Sequence, residues 1–147
     1  MVSTWGDNHR DYYTGVEVSQ LIAFKTDLIR EQWQSRYIWT NLLCIILYMA
    51  AYAWIHWKKT ILITSIYRDV DPAGVHNAWR AVDVRNANFD HEQAVELADV
   101  LNEWAIYDSE RPSMKCCIVY ELDPEGNHND HFHIQVHPNT TFKGRGE

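Results

Sequence analysis

Apolar residues recur along this chain in two rhythms, one of three to four residues and one of two, and these mark out helices and strands. Val18, Leu21, Ile22, Leu28 and Ile29 keep helical spacing, which predicts a first amphipathic helix from Val16 to about Arg36. A second, more apolar helix is predicted from Ile38 to Trp57, separated from the first by only a bend because no Pro or Gly intervenes. Lys58 and Lys59 close it with cations at the negative end of its dipole. The β-branched run Thr60 to Ile66 reads as a buried strand. Asp71-Pro72-Ala73-Gly74 reads as loop, and Ala81 to Val84 as a short strand carrying Asp83.

Asp90 with Gln93 three residues on has the form of a capping box. It opens a helix running to about Tyr107 that buries Ala94, Leu97, Ala98, Leu101 and Trp104. Cys116 to Leu122 and His131 to His137 are two further strands, joined through Asp123 to Asn127, whose Pro and Gly make the pair antiparallel. Alternation puts His131, His133, Gln135 and His137 on one face and leaves Phe132, Ile134 and Val136 for the core. Residues 1–15 read as a flexible arm, 16–138 as one domain and 139–147 as a polar, frayed tail. The expected class is α+β: a small antiparallel sheet packed against N-terminal helices and a central helix.

Charge and composition narrow the partners. A net charge of −7 at pH 7 argues against an electrostatic grip on nucleic acid. Three cysteines, two of them adjacent at Cys116 and Cys117, make no disulfide framework and suit a reducing compartment of synthesis. The polar N-terminus has no apolar signal-peptide core. Leu42 to Ile55 is an uninterrupted apolar or aromatic run of 14 residues, short of the about 20 that a membrane span needs. It is read as a core helix, with a membrane anchor as the lesser alternative.

The candidate chemistry lies in His76 and Asp83, spaced His-x6-Asp, and in Asp130-His131-Phe132-His133. Two imidazoles, a carboxylate and a spare acid/base are the ingredients of a catalytic zinc site, which takes three protein ligands and leaves one position open. Each part has an ordinary alternative. A His-x6-Asp pair arises often by chance, a His-x-His strand is also a polar face, and Asp130 beside Asn127-His128-Asn129 also suits a turn.

The order Thr64-Ser65-Ile66-Tyr67-Arg68, His76-x-x-x-x-Ala81-x-Asp83 and Asp130-x-x-His133 resembles the D-alanyl-D-alanine carboxypeptidase and L-alanyl-D-glutamate endopeptidase family. That family belongs to a wider group with lysostaphin-type enzymes and the hedgehog signalling domain, and many phage endolysins are members. The resemblance covers about Ile61 to Pro138. It implies Zn2+ held by His76, Asp83 and His133, with Asp130 as first choice for the general base, His131 second and His128 third. It further implies that Arg68 stabilises the oxyanion or binds the substrate carbonyl. Ser65, Tyr67, Trp79 and His128 would line the substrate side. One departure stands out: Trp79 occupies the position where the family carries glycine.

The expectation is therefore a zinc metallopeptidase cutting peptidoglycan stem peptides, monomeric and phage-lysin-like. It would be made in a bacterial cytoplasm and act on the wall after release or as part of a virion. The competing expectations are a non-catalytic zinc module of hedgehog type and a membrane-anchored interaction protein.

Overall fold

A computed structural model describes residues 18–86, 88–111, 115–121 and 130–144. The expected arm at 1–15, the connection Asp123 to Asn127 and His128 lie outside them. Among the described residues the chain is α+β, with three helices, a mixed five-stranded sheet and a small two-stranded sheet. After one helical turn, Val18–Leu21, come β1 (Ile22–Phe24), α1 (Asp27–Gln34), α2 (Thr40–Trp57), β2 (Ile61–Ser65) and β3 (Ala81–Arg85). Then follow α3 (His91–Trp104), β4 (Ala105–Ile106), β5 (Ile118–Glu121), β6 (His131–Gln135) and β7 (Thr141–Phe142).

The large sheet runs β1-β2-β3-β6-β5. Its antiparallel core pairs Asp83 with His133, Arg85 with His131 and Ala81 with Gln135 across β3 and β6. Side chains alternate across a sheet, so one face presents Asp83, His131, His133 and Gln135. The opposite face buries Val82, Val84, Phe132 and Ile134 completely. Leu42, Ile45, Ile46, Met49, Ala50 and Ala53 of α2 and Ala94, Leu97 and Leu101 of α3 are also fully enclosed in that core. The sheet thus has one dry side that holds the fold and one polar side that carries Asp83, His131 and His133.

Several elements form as their sequence dictates. The Asp90 carboxylate accepts from the Gln93 N–H and the Gln93 side chain accepts from the Asp90 N–H, completing the capping box of α3. At the end of α2, Lys58 turns into the left-handed region at φ 54° and its N–H donates to the Trp54 carbonyl, which stops the helix. α2 is also long and apolar enough to cross a membrane by length and composition, with a mean hydropathy of 1.3.

Four expectations are corrected. The helix expected over Val16 to Arg36 is broken, because Ile22, Ala23 and Phe24 pair in parallel with Ile61, Leu62 and Ile63. The helix starts again at Asp27, where the Thr26 hydroxyl accepts from the Ile29 N–H. That parallel edge makes the sheet mixed rather than antiparallel. α3 stops at Trp104 rather than near Tyr107, since Ala105 is extended and begins β4. Thr141 and Phe142, expected in a frayed tail, pair with β4, and Phe142 stacks on Trp104 at 4.2 Å.

Candidate metal centre

His76 enters the site from the loop between β2 and β3, and Asp71 builds that loop. The Asp71 carboxylate accepts the backbone N–H groups of Ala73, Val75 and His76, the last at 2.6 Å. The His76 N–H is the chief reason why the Asp71 carboxyl stays below its usual range; burial pulls the other way, and Ala73 and Val75 add to the lowering. Gly74, at φ 74°, supplies the turn that brings these three donors onto one carboxylate.

The His76 ring is completely buried. Its Nδ1 donates to the Ile66 carbonyl at 2.8 Å, so Nε2 carries the lone pair. That Nε2 is buried without a hydrogen-bond partner and stands 3.5 Å from Asp83 Oδ1. His133 is fixed in the opposite sense. Its Nε2 donates to Gln135 Oε1 at 2.8 Å, and Gln135 is oriented because its amide donates to the Tyr107 hydroxyl at 2.9 Å. His133 Nδ1 consequently faces Asp83 Oδ1 at 3.0 Å.

Two imidazole lone pairs and a carboxylate oxygen therefore converge, with the three ligand atoms within 4.8 Å of one another. Ligands at about 2.0–2.1 Å from a tetrahedral metal stand roughly 3.3 Å apart, which the 3.0 and 3.5 Å separations bracket. Converging acceptors repel unless a cation lies between them. Burial works to raise the Asp83 carboxyl, but His133 and His76 outweigh it and hold it well below the usual carboxylate range. Burial likewise works to lower the His133 pKa, and Asp83 and Gln135 outweigh it, so it is raised. The residues fit a divalent metal, and the orphaned Nε2 of His76 is the observation that says so.

Arg68 Nη2 lies 3.8 Å from Asp83 Oδ2, with its side chain half exposed. Beside the triad is an open cavity of about 440 Å³ lined by Arg68, Asp71, His76, His133, Gln135 and Glu121, among others. A smaller one of about 180 Å³ is lined by Lys25, Thr64, Asp83, Arg85, Asp130 and His131. Asp83 and Asp130 both line this smaller cavity, and the Asp130 carbonyl accepts the Asn86 N–H. His131 Nε2 pairs with Glu121 Oε2 of β5 at 2.9 Å.

Ser65 stands opposite Asp83 in register, next to a bulge at Thr64. Tyr67 and Trp79 do not line the larger cavity. They stack on each other at 4.7 Å, and Tyr37 packs on Trp79 at 5.2 Å. Trp79 is at φ 61°, the left-handed backbone that glycine takes without strain. The two tyrosines hold the ring of a residue whose backbone takes this left-handed conformation.

Three contributors escaped sequence reasoning. Asp71 was visible only as a turn residue ahead of Pro72 and Gly74. Gln135 was placed on the right face by alternation but had no assigned task, and nothing local marks Tyr107 as its partner. No family model matches the chain, and neither curated proteins nor solved structures give a match, so its functional reading rests on the geometry of this site.

Proposed function

We propose that this chain is a zinc-dependent peptidase of phage-lysin type, hydrolysing peptide bonds in peptidoglycan stem peptides. The observation that supports it most is the buried, unpartnered Nε2 of His76 beside Asp83 and His133. Two imidazoles and one carboxylate are a donor set that suits zinc and leaves a coordination position free. When bound there, zinc supplies Lewis acidity that polarises a carbonyl and acidifies water.

The chain's own residues account for the rest. Ile66 and Gln135 fix the two ring tautomers, so the lone pairs are already aimed before metal arrives. Arg68, at the mouth of the larger cavity, meets the negative charge that develops on a substrate carbonyl oxygen. Asp130 takes the proton of the attacking water and returns it to the leaving amine. His131, tied to Glu121, is the weaker candidate for that base.

The test is metal content together with product analysis. Purified protein should hold about one zinc per chain, as one three-ligand site requires. Mass spectrometry of digested cell wall should show new peptide termini that vanish in His133→Ala. Full zinc occupancy in a His76, Asp83 and His133 triple alanine variant would sink the metal assignment. Asp130→Asn should keep the zinc and lower turnover about 10²–10⁴-fold, the usual weight of a general acid–base group.

A further inference from the structure

α2 and α3 cover the dry face of the sheet, so their outer sides lie away from the metal centre. Side chains fix how the two helices run. Tyr48 stacks on Trp104 at 4.6 Å, the Tyr52 hydroxyl donates to Glu96 Oε2 at 2.8 Å, and Lys59 donates to Gln93 Oε1. Later residues of α2 thus meet earlier residues of α3, and the pair is antiparallel. Tyr48, Tyr52 and Ile55 recur at helical spacing along the α2 edge of this seam. Ile55 is 69% exposed and Tyr48 40%. No Asp, Glu, Lys or Arg occurs from Thr40 to Trp57.

The α3 edge has the opposite character. Glu92, Glu96, Asp99 and Glu103 step along its outer side at helical spacing, and all four are exposed. With Val95 and Val100 they line an open groove of about 460 Å³, which has His91 at one end and no lysine or arginine. Three lysines stand near the ends of the seam. Lys58 lies over the Trp54 ring, Lys59 is held by Gln93, and the Lys143 N–H donates to the Trp104 carbonyl. Among the described residues no lysine or arginine forms an ion pair with any of the four carboxylates. An uncharged ridge thus runs beside an acidic row on the open surface.

We infer that this seam is a docking surface for a basic amphipathic helix of a partner protein. The apolar side chains of that helix pack between Tyr48, Ile55 and Val100, as the ridge of one helix fills the groove of another. Its lysines or arginines meet Glu96, Asp99 and Glu103. Charge selects this occupant. The acidic row repels an anionic lipid surface, and a second copy of the chain brings the same acids with no cation on α2 to meet them. Residues 1–17, with Asp7, Asp11 and Glu17 against Arg10, do not answer the row either. The inference stands apart from the peptidase reading, because the metal triad lies on the other face of the sheet.

The experiment uses the full chain and two synthetic helix-forming peptides with leucine at every third or fourth position, the rest being lysine in one and glutamate in the other. Calorimetry should show that the leucine–lysine peptide binds and the leucine–glutamate peptide does not. Glu96→Gln, Asp99→Asn and Glu103→Gln combined should weaken binding about tenfold, the sum of three exposed ion pairs. Ile55→Ser should weaken it by a similar factor of about ten through lost apolar contact. A control that removes the same charge elsewhere, Asp27→Asn, Glu31→Gln and Glu110→Gln combined, should leave binding unchanged. Every substituted position is exposed, so the fold is kept, as urea midpoints check. Equal binding of both peptides, or equal weakening by the control, overturns the inference. So does a chain that ignores the leucine–lysine peptide but sediments with phosphatidylcholine vesicles, or self-associates, until Ile55→Ser abolishes it. Those outcomes would assign the seam to a lipid surface or to a second copy.

Discussion

At the scale of single residues, the site is decided by where two protons sit. The Ile66 carbonyl accepts from His76 Nδ1–H and Gln135 Oε1 accepts from His133 Nε2–H, so each ring turns its other nitrogen toward Asp83. The two histidines thus use different nitrogens, a detail that no spacing rule reveals. Residue types and their order were legible in the sequence; tautomers were not, because they depend on carbonyls and amides distant in the chain. Gln135 is the residue on which this account can be tested apart from the ligands. It touches no metal, yet its loss lets the His133 ring turn and tautomerise. Gln135→Ala should keep the fold and weaken zinc binding about 10–100-fold, the usual effect of removing a ligand's hydrogen-bond partner. Competition with a chromogenic chelator measures this directly, and wild-type zinc affinity in the variant would remove Gln135 from the site.

At the scale of elements, local signals succeeded where the partner is near in sequence or the pattern is strict. The capping box of α3 and the alternation of β6 are of that kind. β1 failed because Ile22, Ala23 and Phe24 become a strand only by pairing with Ile61 to Ile63, a non-local event that overrides a helical rhythm. β4 and β7 are two residues each, too short for any periodicity. The turn from His76 to Trp79 offers an element-scale prediction. A left-handed residue that is not glycine costs on the order of 1–2 kcal/mol, which here is offset by the rings of Tyr67 and Tyr37. Trp79→Gly and Trp79→Ala should both destabilise, because both lose the stacked rings. At φ 61° the alanine variant should be the worse of the two. Urea midpoints rank them, and a more stable alanine variant would mean that the backbone does not hold the left-handed conformation in solution.

At the scale of the whole molecule, the sheet separates a dry face that supports the fold from a polar face that carries the triad, and α2 presses on the dry one. The sequence shows an apolar helix before the first site strand, with Asn41, Tyr48, Tyr52 and His56 as its polar edge and Ile46 expected in its interior. Two adjacent positions decide that. Ile46 is fully buried in the core, whereas its neighbour Leu47 is 51% exposed. An unpaired charge at Ile46 would sit among β-sheet and helix side chains with no partner, at a penalty of several kcal/mol in a domain whose whole stability is about 5–15 kcal/mol. Ile46→Asp should therefore lose both cooperative unfolding by circular dichroism and zinc retention, since β3 and β6 no longer have a core to lie on. Leu47→Asp should keep both. A helix embedded in lipid would tolerate neither charge, because water is absent on every side of it. Equal damage from the two substitutions would therefore favour the membrane alternative, and a tolerated Ile46→Asp would show that α2 does not support the sheet at all.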